Sequence, residues 1–171
     1  QDYFLSPNIS VLSQYSGLSP ENKAAAQGAN LVNFLRGQRG YEGSLYRNRQ
    51  HVLGDIVSSE AVFVRVATFD YVDNGYSDFK TSVSTRSGTV YVGANDGMLH
   101  AFNADDGVER WAYIPSLVLP GLFQLADRNY ANTHRFYVDG TPVVGDVCVS
   151  DCSGTTPVWK TILVSGLNGG G

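Results

Sequence analysis

Val90-Tyr91-Val92-Gly93-Ala94-Asn95-Asp96-Gly97-Met98-Leu99-His100-Ala101-Phe102-Asn103-Ala104-Asp105-Asp106-Gly107-Val108-Glu109-Arg110-Trp111 is the stretch whose reading decides the fold. It holds strand-like runs at Thr89 to Gly93, Met98 to Asn103 and Val108 to Ile114, separated by Asn95-Asp96-Gly97 and Asp105-Asp106-Gly107. Asp-Gly between apolar runs is a strong hairpin signal, because the tight primed turns need positive φ, which glycine adopts without steric cost. The spacing predicts a three-stranded antiparallel meander with Gly97 in the left-handed region.

Working outward, Leu53 to Val57 and Ala61 to Ala67 read as short strands, followed by a loop over Phe69 to Asp78. On the other side, Pro115 to Tyr130 carries a short helical pattern that Pro120 would break or restart. Strands are then expected at Arg135 to Val138, Val143 to Val149 and Val158 to Val164. Val52-Leu-Gly-Asp55-Ile and Val143-Val-Gly-Asp146-Val share a V-x-G-D-[IV] core, a weak internal repeat of the kind that blades of a propeller show. At the N-terminal end, residues 1–18 read as irregular. Ser19 as N-cap, Pro20 at the first helical position and Glu21 in the first turn predict one helix over about 20–37, with Ala24, Gly28, Leu31 and Leu35 as its stripe. Residues 38–50 are basic and polar and read as a loop. Two parts are expected: a helical lead-in over 1–50 and propeller blades over 51–171.

Composition agrees with a β-rich, turn-rich chain. Glycine is 19 of 171 residues, Tyr and Phe are 10 and 8, and only 16% of residues are charged. A formal net charge of −4 argues against nucleic-acid binding through a general basic surface. No run approaches the 18 or so apolar residues of a membrane-spanning helix, and QDYFLSPNIS at the start has no signal-peptide character. The chain stops at LVSGLNGGG, straight after a strand-like run, so the expectation is a piece of something longer. Cys148 and Cys152 are the only cysteines. Their spacing suits neither a zinc knuckle nor a CxxC redox site. The plain reading is a structural disulfide in an oxidising compartment, with two free buried thiols as the alternative.

The finer spelling is more specific. Gly93-Ala-Asn95-Asp96-Gly97-Met-Leu-His100-Ala-Phe, then Ala112-Tyr-Ile-Pro115-Ser, then Tyr137-Val-Asp139-Gly140-Thr-Pro142 and Trp159-Lys-Thr-Ile-Leu-Val, resemble the C-terminal propeller of the PilC/PilY family of type IV pilus biogenesis factors and tip adhesins. Leu31-Val-Asn-Phe-Leu-Arg36-Gly37 and Leu53-Gly-Asp-Ile-Val-Ser-Ser59 are similar to the entry of that propeller. The resemblance runs from about residue 28 to the end. It implies an all-β chain: a partial β-propeller of about two to three blades, with an N-terminal helix and a short helical insertion. In this reading Gly93, Asn95, Asp96, Gly97, His100, Gly107, Trp111, Asp139, Gly140 and Trp159 are fold-motif residues. Trp111 and Trp159 would close one blade on the next.

The resemblance further implies a non-enzymatic protein, exported to the cell surface or pilus tip and associated with the outer membrane. It would work with minor pilins, oppose retraction and in some members bind a host surface. The rest of its own polypeptide is a further expected partner. The family's calcium loop would lie beyond this chain, and no cofactor is expected within it. Asp70, Asn74 and Asp78 are weak calcium candidates, because Val72 and Ser82 stand where an EF-hand loop needs ligands. His100 lies in a strand and reads as a packed or hydrogen-bonding residue. Two readings from other classes stand against the pilus one. A quinone-dependent dehydrogenase propeller would carry a Trp in most blades and an adjacent-Cys pair, neither of which the sequence has. The other is a secreted adhesin unrelated to pili.

Overall fold

The computed structural model describes residues 2–171. The N-terminal part opens with three short 3-10 turns at Asp2–Phe4, Asn8–Val11 and Tyr15–Gly17, where the sequence suggests only irregular chain. Helix α1 (Pro20–Ala25) begins as the sequence dictates: the Ser19 hydroxyl accepts from the Asn22 amide, and Pro20 fills the first turn. The expected single helix over 20–37 is, however, two helices. Gly28 sits at φ +62 and its N–H goes to the Phe4 carbonyl at 2.9 Å instead of continuing the helix. Helix α2 (Ala29–Leu35) then starts afresh and buries Leu31, Phe34 and Leu35.

That face packs on a distant part of the chain. Pro115 to Tyr130 forms 3-10 turns at Leu119–Ala126 and Tyr130–Asn132, with Pro120 in the first turn of the former. Its buried Leu122, Phe123, Leu125 and Ala126 share one core with Ile9, Leu12, Leu31, Phe34, Leu45 and Tyr46. The helical lead-in and the helical insertion are therefore one packed unit.

The decisive stretch forms a four-stranded antiparallel sheet in chain order, β1 (Val62–Val64), β2 (Thr89–Ala94), β3 (Met98–Asn103) and β4 (Glu109–Tyr113). The register pairs Val90 with Phe102 and Ala101 with Trp111. Both turns have their glycine left-handed, Gly97 at φ +92 and Gly107 at φ +73. The first differs in type from the primed turn expected. Ala94 pairs with Met98 across a loop of Asn95, Asp96 and Gly97, and only the glycine has positive φ, as in a three-residue hairpin.

A second sheet holds β5 (Val143–Ser150) and β6 (Val158–Val164). Among the described residues there is thus one four-stranded meander and one hairpin, rather than two to three blades, and the sheets do not close. Three expected strands change. Leu53 to Val57 is not a strand, because its backbone is satisfied elsewhere: Gly54 N–H by the Asp96 carboxylate and the Asp55 carbonyl by Asn95 N–H. Ala61 to Ala67 shrinks to Val62–Val64, and Arg135 to Val138 is irregular. The loop expected over Phe69 to Asp78 ends in helix α3 (Tyr76–Ser82), entered through Gly75 at φ +73. The V-x-G-D repeat is not structural: Asp55 lies in an irregular segment and Asp146 inside β5. No described helix is long and apolar enough to cross a membrane.

Candidate functional site at the first blade turn

The Asn95–Gly97 turn is a hub. Asn95 is 2% exposed. Its side-chain amide donates to Asp55 Oδ2 at 3.0 Å, and its Oδ1 accepts from Tyr137 N–H at 3.0 Å. Asp55 in turn meets His134 Nε2 at 3.0 Å. Burial alone would raise the Asp55 carboxyl pKa, but the bonds from Asn95 and His134 outweigh it and hold it below the usual value. Asp96 accepts from Gly54 N–H at 2.9 Å and from Met98 N–H at 3.2 Å, and also faces His100.

His100 lies in β3 with both ring nitrogens against carboxylates, Nδ1 at 2.6 Å from Glu109 and Nε2 at 3.1 Å from Asp96. Burial would lower its pKa, but the two carboxylates more than offset this and raise it above the ordinary imidazole value. A folded pKa above the unfolded one means that the stabilisation is full below about pH 6.5 and is lost as the pH rises through the raised value. An NMR titration of His100 is expected to give a midpoint above about 6.5, shifted down in Glu109→Gln. A midpoint unmoved by that substitution would show that Glu109 does not hold the imidazolium.

The segment 137–141 straps onto the same end of the blade. Asp139, 3% exposed, accepts from Ser58 N–H at 3.0 Å and from the Asn168 amide at 3.1 Å. Two glycines permit this approach: a Cβ on Gly93 would lie 2.6 Å from the Val138 carbonyl oxygen, and one on Gly140 would lie 2.2 Å from that of Gly166. Gly93, Asn95, Asp96, Gly97, His100, Asp139 and Gly140 therefore converge. Asp55, Ser58, His134 and Asn168 belong with them; the sequence shows Asp55 and Ser58 only within the entry motif and does not show that any of the four meets the turn or the strap, because their partners are more than 25 residues away.

The remaining motif residues lie elsewhere. Gly107 turns the β3–β4 hairpin. Trp111 is 43% exposed on β4, beside Tyr91 at 5.7 Å, and lines an open apolar groove of about 720 Å³ with Leu99, Tyr113, Leu163 and Leu167. Trp159 packs the second sheet onto α3: its indole N–H donates to the Asn74 carbonyl at 2.9 Å, and its ring meets Tyr71, Tyr76 and Phe79. The Tyr76 hydroxyl donates to Asp146 at 2.8 Å, and burial together with that carboxylate pushes the phenol up to about 12. Trp111 thus faces a groove shared with the second sheet, and Trp159 packs against α3 and the loop before it.

Cys148 and Cys152 form a disulfide with their Cα atoms 5.8 Å apart, closing the tip of the β5–β6 hairpin. Asp70, Asn74 and Asp78, the calcium candidates, each have a separate place in the structure. Asp70 is paired with Lys80 at 2.7 Å, Asn74 donates its amide to the Gly154 carbonyl, and Asp78 lies in the first turn of α3. Among the described residues no group of three or more His, Cys, Asp or Glu side chains is placed to hold a metal ion.

A four-stranded antiparallel meander has the form of one blade of a β-propeller. The family described as the PilY1 beta-propeller domain matches residues 53–171, and the chain belongs to that family. It is 42% identical over 159 residues to a type IV pilus biogenesis factor PilY1 of Pseudomonas aeruginosa (strain UCBPP-PA14), covering 88% of this chain and 13% of that protein. It is 36% identical over 157 residues to a PilY1 homolog of Xylella fastidiosa, covering 86% of this chain and 12% of that protein. The chain thus spans about an eighth of the length of the curated relatives it matches. The crystal structure of the Pseudomonas aeruginosa PilY1 C-terminal domain is 34% identical, with a TM-score of 0.44, over 64% of this chain and 20% of that one.

Proposed function

We propose that the chain is part of a non-enzymatic interaction and adhesion module of type IV pilus assembly, placed at the pilus tip or base. In this reading it works with minor pilins and restrains retraction, and a host or other surface ligand is a further partner. The protein is exported to the cell surface, in association with the outer membrane. The observation that carries this is the 42% identity, over 88% of the chain, to a protein named as a type IV pilus biogenesis factor. The disulfide supports export, because such bonds persist in oxidising compartments. Any calcium would be held by other parts of the polypeptide.

The second sheet supports an assembled state. Val143, Ile162 and Val164 are 67%, 38% and 60% exposed on one face of the β5–β6 hairpin. Folded proteins cover or charge such faces and edges, and the charged residues between Val143 and Val164 are Asp146, Asp151 and Lys160. We read this face as packing against further residues of the same polypeptide. Affinity capture of the full polypeptide from piliated cells tests the partner reading. Minor pilins are expected to co-purify in stoichiometric amounts, and recovery no higher than from an untagged control would contradict it.

A further inference from the structure

We propose that the cleft between the two sheets is a carboxylate-binding site, centred on Arg86 and Arg110. The cleft has a volume of about 230 Å³, and both arginines are among the residues that line it. Arg86 donates through Nε to the Arg65 carbonyl at 2.5 Å and through Nη1 to the Thr161 hydroxyl at 2.9 Å. Its Nη2 is buried and has no hydrogen-bond partner among the described residues. A buried cationic donor left unpaired is costly, more so than a neutral one. Arg110 donates to the Thr89 hydroxyl at 3.0 Å and to Asn103 Oδ1 at 3.1 Å. Having accepted from Arg110, the Thr89 hydroxyl keeps its own proton to donate.

The charge in the cleft is one-sided. Its lining contains two arginines and no Asp or Glu, in a chain of net charge −4. The nearest relay to a carboxylate is the Thr161 hydroxyl, which donates to Asp146 at 2.7 Å, and the other oxygen of Asp146 is taken by Tyr76. The remaining walls are largely apolar, among them Val64, Val144 and Leu163. Low polarity strengthens a guanidinium–carboxylate contact, and a planar carboxylate suits the arginine fork. A carboxylate in the cleft would give Nη2 the acceptor it lacks. It can come from a free small acid or from an Asp or Glu side chain of a polypeptide segment packed against the sheets.

The test uses the full polypeptide and separates the two sources. In the first arm, sodium acetate and N-acetyl-aspartate amide are titrated by calorimetry, with N-acetyl-asparagine amide as the uncharged control. If the source is free, the acids bind saturably and the control does not, and Arg86→Gln and Arg110→Gln each weaken binding by about tenfold to a hundredfold. Arg110 is exposed and holds only side-chain oxygens, so its variant reports on the site even if Arg86→Gln fails to fold. In the second arm, the crystal structure of the full polypeptide places an Asp or Glu carboxylate oxygen within hydrogen-bond distance of Arg86 Nη2 if the source is a side chain. The proposal is overturned if no acid binds and only water or apolar atoms lie against Nη2.

Discussion

Gly97→Val is expected to lower the folding stability by about 3 kcal/mol, summing left-handed strain and overpacking. Gly97 stands at φ +92, where a β-branched residue is strongly disfavoured. A Cβ there would also lie 2.2 Å from Cδ2 of Leu122, which is fully buried in the core of the helical unit. The turn therefore presses the first blade onto the helical insertion, and a side chain at 97 pushes the two apart. The check is a denaturation midpoint that falls with an unchanged m-value. Adding Leu122→Ala to Gly97→Ala should cost less than the sum of the two single changes, because one removes the atom that the other strikes. Simple additivity would show that the turn and the insertion are energetically independent.

Arg49→Leu is expected to cost more, about 3–5 kcal/mol, the range for removing one partner of a buried ion pair. The Arg49 side chain is 6% exposed and meets Glu42, itself 10% exposed, at 2.7 Å. The same guanidinium donates to the Phe34 carbonyl at 2.8 Å and the Gln38 carbonyl at 2.9 Å, and lies 3.8 Å over the Phe34 ring. It thus terminates α2 and clamps the following loop at once. Glu42→Gln in the Arg49→Leu background should recover part of the loss, since it removes the stranded carboxylate. A loss under about 1 kcal/mol, the scale of a surface pair, would show that Arg49 is solvated in solution.

The sequence shows the meander because its signals are local: Gly97 and Gly107 follow acidic turns, and the runs between them alternate in register. It hides what depends on distant partners. Leu53, Ile56 and Val57 look like a strand, yet Gly54 and Asp55 give their backbone bonds to the turn at Asn95 and Asp96. Residues 38–50 look like a solvated basic loop, yet Arg49 is buried by a helix earlier in the chain. Helix α3 starts from a glycine with no side-chain cap, so no start signal is written before Tyr76. At the site, the motif spelling names the residues of the turn and of the 137–141 strap, but not that they meet, nor that Asp55 and His134 join them. Trp111 and Trp159 belong to the same spelling, yet one lies exposed beside a groove and the other packs on α3.

The most direct test of the central claim, that this propeller part serves the type IV pilus, is a count of surface pili. The count compares cells carrying the intact gene with cells from which residues 53–171 have been removed in frame, each with and without the retraction motor. The account predicts that the deletion sharply lowers surface pili in retracting cells and that removing the motor restores them. Equal piliation of intact and deleted strains in retracting cells would contradict it.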